Sequence, residues 1–409
     1  NTTNTAITAS ITNSVPTAGA IYGKVTVNTG TVTNANAWTL APGGSIQVTG
    51  GTLAFGAQTV TFGNAASNAG KGTTINTTGA GAITTTASTI WDFGGEGIIT
   101  GNALSTSGAV RIRQKFTPLA SGAFTIASGG NLDIRNGGFV STNTPTYASG
   151  SFLMYNSGTT YVASTEWTPN AASGAGIPSN VTIGNNIASS VCSFGTSAQY
   201  RQMLGSLTIS NTTAGAGLTL SSVAGGDLKI AGNWTNSATF TANSRAVYFN
   251  GTAAQAINAT ATGFAYLFIS NTTATVTAAA AITIANSLTV DASARLDMAT
   301  NTLTLTGSTS TVNGFLRTAG TITGATATSL TFSSTGTYEH NFTTTTGTIP
   351  TATWSAGSTC SIIGYTSTAV TINSSFGQAF SNFTWNCASQ SVAINLLGLL
   401  TTINGNFTL

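Results

Sequence analysis

The sequence predicts an all-β protein, folded as a right-handed parallel β-solenoid (a β-helix) with coils of irregular length. Three observations carry this expectation. Apolar residues alternate with Thr, Ser or Asn over short runs, which is the period of a β-strand with one buried side. Gly, Asn or Asp closes almost every run, supplying the turn chemistry. Charged residues make up only 5% of the 409 residues, while apolar and aromatic ones still reach 41%. In stacked coils, outward Thr, Ser and Asn meet their own kind without the repulsion that rows of like charge would create. Tandem β-sandwiches are the alternative architecture, because alternation alone does not separate the two.

The elements follow in order along the chain. "KVTVNTGTVT" (24–33), "SIQVTGGTLAFGAQTVTFGN" (45–64) and "NLDIRNGGFV" (131–140) are strand pairs or triplets broken by Gly and Asn. "SLTVDASARLDMATNTLTLTG" (287–307) and "TSLTFSSTGTYEHNF" (328–342) repeat the pattern near the other end. Leu288, Leu296, Leu303 and Leu305, then Phe315 and Leu316, Ile322, Leu330 and Phe332 succeed one another through brief polar corners, as stacked coils require. Helical spacing is nearly absent. The phrase "LTISNTT" (207–213) returns as "LFISNTT" (267–273) and more loosely as "FTWNCAS" (383–389). "LKIAGNW" (228–234), "ITIANSL" (282–288) and "TTINGNF" (401–407) follow them in turn, so each copy reads as an equivalent coil with a variable corner. Three regions are expected: N-terminal coils with a charged patch over 1–150, a β-rich junction with longer loops over 151–200, and a repeat-containing solenoid over 201–409 that continues past Leu409.

Composition also limits partners. The net charge of +3 is scattered, giving no basic stripe to follow a phosphate backbone, so nucleic acid is not expected. No run approaches the roughly 20 consecutive apolar residues of a membrane span. The chain opens on "NTTNTAITAS" and stops at "INGNFTL" inside a strand-like pattern, the expected look of a processed or excerpted part of a longer protein.

"YEHNFTTTTGTIPTATWSAGSTCSIIGYTS" (338–367) and "FGQAFSNFTWNCASQSVAINLLGLLTTINGNFTL" (376–409) resemble a recurring segment of large cell-surface proteins of Bacteroidota exported by the type IX secretion system. "FLMYNSGTTYVASTEWTP" with "GIPSNVTIGNN" (152–186) and "GNWTNSATFTANSRAVYFNGTAAQAI" (232–257) resemble other phrases of that group. The resemblance spans most of 150–409. It implies an extracellular or outer-surface protein whose repeats form a stalk, adhesin or filament. Neighbouring repeats, further copies of itself or cell-surface and extracellular glycans are the expected partners. The sorting domain of that family is not within the sequence.

Candidate chemistry is sparse. Asp92, Glu96, Arg111, Arg113, Lys115, Asp133 and Arg135 gather seven of the 11 basic and 8 acidic residues into one interval. "RIRQK" and "LDIRN" are about one coil apart, which puts Asp133 beside Arg111 and Arg135 beside Arg113. A carbohydrate-active β-helix enzyme would use such a cluster to hold Ca²⁺ or pair two carboxylates as acid and base. Asp92 and Glu96 sit in the Gly-rich turn "WDFGGEG", which suits no fixed pair, so the expected role is an ion-pair ladder between coils, about 0–1 kcal/mol per pair. No catalytic residue, metal site or cofactor is expected. His340 reads as a solvent-facing strand residue, with Glu339 on the opposite side. Cys360 and Cys387 both fall on inward positions and are expected either as a disulfide or as two buried thiols. Cys192 reads as a small buried residue. Trp167, Trp234 and Trp354 are expected to contact glycans from the surface or to fill the core. Thr rows such as "TLTLT" (302–306) and "TIT" (321–323) suggest an ice- or polysaccharide-facing array, but variable corners break the regular lattice ice would need.

Overall fold

The computed structural model describes residues 4–7, 20–21, 23–34, 37–63, 72–102, 104–210, 212, 214–259, 262–307, 309–366 and 370–409. The protein is nearly all parallel β-structure, a β-solenoid of about 17 turns. Among the described residues the only helical element is a 3-10 turn at Ser374–Gly377. Every strand pairing there is parallel apart from one isolated antiparallel bridge between Pro169 and Arg201. Sandwiches are built from antiparallel sheets, so that alternative is overturned.

The chain forms two compact units: residues 1–195 with 201–218, and residues 196–200 with 219–409. In the first, most coils turn through three short strands. One face is built from Trp38–Leu40, Thr59–Phe62, Ile90–Phe93, Ala109–Ile112, Asn131–Arg135, Phe152–Asn156, Asn180–Ile183 and Leu207–Ile209, each hydrogen-bonded to the next. Along it run two inward ladders. Trp38, Val60, Trp91, Val110 and Leu132 form one; Leu40, Phe62, Phe93, Ile112 and Ile134 form the other, all with 4% exposure or less. Phe62 stacks on Phe93 at 4.3 Å, and Phe93, Phe116 and Phe124 continue edge to face across the core. Burying a large side chain on each rung contributes about 1.5–3 kcal/mol of transfer free energy, so packing holds the stack and the hydrogen-bond ladder sets its register.

Coil length varies while the rungs stay aligned. The chain travels from Val60 to Trp91 to complete one coil, but only from Trp91 to Val110 for the next. Extra residues leave at the corners, where loop closure costs little. The corner after Arg135 shows why glycine is needed: Gly137 has φ +82°, and a Cβ on Gly138 would lie 2.1 Å from the Ile112 carbonyl oxygen.

In the second unit one face runs through Trp234–Asn236, Gln255–Ala259, Thr275–Ala278, Arg295–Asp297, Phe315–Thr318, Thr337–His340, Thr359–Ile362 and Asn382–Trp385. Two long strands, Thr262–Ile269 and Ile282–Val290, cover two faces each; their register shifts between Phe264 and Tyr266. Ile282–Ile284 then pairs with Leu303–Leu305, and Thr289–Val290 with Thr311–Val312.

The middle copy of the repeated phrase does not stand at the place in the coil that the third copy takes. Leu267 stands in the ladder Val247–Leu267–Leu288, whereas Phe383 stands on the other face, in Tyr338–Cys360–Phe383. Leu207 belongs to the first unit, beside Val181. What recurs is a strand end. In the second copy, Asn271 is fully buried; its Oδ1 accepts from the Thr273 and Ala274 amides and its Nδ2 donates to the Ala253 carbonyl, closing the corner. Asn211 of the first copy lies outside the described residues.

Candidate functional site

Outward positions of the same face of the first unit carry most of the sequence-predicted charges. Between the inward pairs, one ladder of side chains reads Thr39, Thr61, Asp92, Arg111, Asp133, Met154, Thr182, Thr208. Asp133 therefore does lie beside Arg111, as the spacing implies. Arg113 donates from Nε to Asp92 Oδ1 at 2.8 Å and from Nη2 to Oδ2 at 2.9 Å, a bidentate pair that raises the Arg113 pKa. Arg135 does not pair with Arg113's strand neighbours but curls onto Asp133 Oδ2, through Nε at 2.8 Å and Nη2 at 2.5 Å. Asn156 occupies Asp133 Oδ1 at 2.8 Å. Asp133 and Arg135 are buried, so this pair departs from the expected surface ladder. Lys115 is exposed and Glu96 half-buried, and among the described residues neither has an ion pair.

Two carboxylates do not converge. Asp92 and Asp133 are two rungs apart with Arg111 between them, about 9–10 Å at one strand spacing per coil, and each is already held by its own arginine. Among the described residues no group of His, Cys, Asp and Glu side chains could hold a metal ion.

A second charged ladder, missed in the sequence, stands in the second unit. Asp297, Arg317 and Glu339 are successive rungs, again between inward residues. Arg317 Nε donates to Glu339 Oε2 at 2.7 Å, Arg295 Nη2 donates to Oε1 at 2.9 Å, and Arg317 Nη1 lies 3.9 Å from Asp297. Arg295 also covers the Phe315 ring at 4.7 Å. The signal was one charge per strand at coil spacing, "RLD", "FLRT", "TYEH", too sparse to form a local cluster.

His340 is fully buried, correcting its solvent-facing assignment; Glu339 is the outward neighbour. Nδ1 lies 3.0 Å from the Tyr338 hydroxyl and Nε2 2.8 Å from the Thr346 carbonyl oxygen, with the Phe342 ring at 4.5 Å. Burial lowers its pKa to about 4, against an opposing effect of the Thr346 carbonyl. The imidazole is a neutral core group near pH 7.

Glu166, not singled out by sequence, is also completely buried. Tyr155 and Tyr161 hydroxyls donate to its two carboxylate oxygens at 3.0 Å each, and the Ser164 amide adds a third bond at 2.8 Å. Burial raises its pKa while those bonds act against the rise. Arg201 binds the Ala163 carbonyl, and Trp167 donates to the Gln202 carbonyl, so the segment after Val162 is pinned by polar contacts instead of a strand.

All three cysteines are free thiols. Cys360 is buried against Tyr338 and Phe383, whereas Cys387 lies four residues beyond Phe383, past the end of the Asn382–Trp385 strand, half-buried with its thiol at the Ile362 carbonyl. Cys192 is buried as expected. Trp167 and Trp234 fill the core, and Trp354 stacks on Phe332 at 4.5 Å. Thr304 and Thr323 do face outward together, with hydroxyls 3.0 Å apart. The outer aromatic stack is instead Tyr248 on Phe268 at 4.4 Å, with Lys229 between Tyr248 and Tyr200.

Fold and outer surface together define a β-solenoid repeat protein whose charges run along the stack. No protein-family model, curated protein or solved structure matches the chain.

Proposed function

We propose that the chain is a structural, adhesive segment of a longer protein displayed on the outer cell surface, a rigid spacer or filament portion without catalytic activity. One observation carries this reading: in each unit an outward row rich in Thr carries acidic groups held by arginines of the same stack, Asp92 by Arg113, Asp133 by Arg135 of its own strand, and Glu339 by Arg317 and Arg295. Polar chemistry arranged along the axis strengthens length, whereas hydrolysis needs two carboxylates facing one cleft. The resemblance of 338–367 and 376–409 to surface proteins of Bacteroidota exported by the type IX system supports the same location and route. Antibody against this chain should label intact, unpermeabilised producing cells and lose its epitope after protease shaving. Labelling seen only after lysis would overturn the location.

A further inference from the structure

We propose that Asn136 is a self-modification site, at which the chain loses the side-chain amide and is left with aspartate or isoaspartate. Asn is a thermolabile residue, and a following Gly favours the reaction because it leaves the next backbone nitrogen unshielded. The sequence holds four such pairs: Asn136–Gly137, Asn250–Gly251, Asn313–Gly314 and Asn404–Gly405. In three of them the glycine amide is already engaged. Gly251 donates to Gln255 Oε1 at 3.0 Å, Gly314 to the Val290 carbonyl at 3.3 Å and Gly405 to the Ser381 carbonyl at 2.7 Å. Gly251 and Gly314 are also buried. Asn136–Gly137 alone combines exposure of both residues with a free nucleophile: among the described residues, neither the Asn136 side chain nor the Gly137 nitrogen has a hydrogen-bond partner.

The pair stands at a corner. The Gly138 amide donates to the Arg135 carbonyl at 2.8 Å, closing a four-residue turn, and Gly137 takes its third place with φ +82°. A glycine there turns at little steric cost, which lets its nitrogen approach the side chain before it. Once deprotonated by base, the Gly137 nitrogen attacks Asn136 Cγ. The N–Cγ bond forms, the Cγ–Nδ2 bond breaks, and Nδ2 takes up a proton and leaves as ammonia. Water then opens the succinimide at either carbonyl, giving aspartate or isoaspartate. A water is consumed and an ammonia released, with no oxidant or reductant. The aspartate product adds a charge next to the buried Asp133–Arg135 pair. Isoaspartate routes the backbone through the side chain and adds a methylene to a corner without room for it, since a Cβ on Gly138 would already lie 2.1 Å from the Ile112 carbonyl oxygen.

Peptide mapping by mass spectrometry, on the full chain held in warm, mildly alkaline buffer, tests the site. Expected is an amide-to-acid mass gain in the peptide covering Asn136, several-fold faster than in those covering Asn250, Asn313 and Asn404. It should appear as a pair of chromatographic peaks of equal mass, aspartate and isoaspartate. Mildly acidic buffer should slow it, because the attacking nitrogen must lose its proton. In concentrated urea all the pairs should convert at similar rates, since unfolding frees every glycine amide. Asn136→Gln should remove the early product. Equal rates at all the pairs in the folded chain, a lead for Asn136 that persists undiminished in urea, or conversion without isoaspartate would overturn the assignment. None of these outcomes depends on cell-surface labelling, so the two readings fail separately.

Discussion

The two charged ladders occupy the same kind of position and differ in burial and in stoichiometry. In the first unit, Asp133 and Arg135 have side chains only 4% and 11% exposed, and a third arginine, Arg111, shares Asp133 at 3.8 Å. In the second, Glu339 is also buried, at 11% side-chain exposure, but Arg295, Arg317 and Asp297 around it are 20–30% exposed, and two arginines meet two acids. Register is thus a matter of backbone pairing, whereas energetic weight is decided by what covers each rung. A buried pair broken on one side leaves an uncompensated charge; an exposed pair broken on one side is rescued by water.

Asp133→Ala sharpens that contrast most. It strands buried Arg135 and should lower stability by about 3–5 kcal/mol in urea denaturation. A loss under about 1 kcal/mol would place the pair with ordinary surface ones. Next in size is a pH effect in the second unit. The folded pKa of His340 is about 4, below its ordinary 6.5, so the unfolded chain binds the extra proton between those values. Stability is therefore full above pH 6.5 and declines by about 3 kcal/mol on acidification toward pH 4, the equivalent of the shift. His340→Gln should remove the slope, as followed by denaturation at several pH values.

Glu166 in the first unit should act with the opposite sign and more weakly, because its hydrogen bonds offset part of the burial. Its folded pKa is raised, so its contribution is complete below 4.5 and is lost as pH rises through the folded value. Glu166→Gln should raise the melting temperature at pH 7 relative to wild type; a lower one would show that the ionised form is preferred in the fold. Smallest of all, Asp297→Ala should cost about 0–1 kcal/mol, since Arg317 keeps Glu339.

The fold was legible because alternation and Gly corners act locally, on each strand by itself. The Asp133–Arg111 neighbourhood was legible too, since both lie in dense charged phrases one coil apart. Coil equivalence was not: "LTISNTT" and its copies share strand-end chemistry, and many corners of a solenoid demand the same. Asp297, Arg317 and Glu339 were invisible as a group because stacking brings together single charges from three strands. For His340 the signal was present and misread; Tyr338, His340 and Phe342 share one parity, and two aromatic neighbours mark that side as inward. Cys387 was misplaced by extending alternation past Trp385, where the strand ends. Burial of Glu166 comes from tyrosines of other strands, which no local pattern announces.

The spacer reading is tested most directly by removing one coil. Deleting 275–294 joins Ala274 to Arg295, whose strand then takes the place of Thr275–Ala278 in the ladder. Both ion-pair ladders survive. Spin labels at positions 256 and 361, outward and five rungs apart, should read about 24 Å in the parent and about 19 Å after the deletion, one strand spacing less. That result, with cooperative melting retained, is what stacked, exchangeable coils give. A broad distance distribution or an unfolded second unit would contradict the claim that length is built rung by rung.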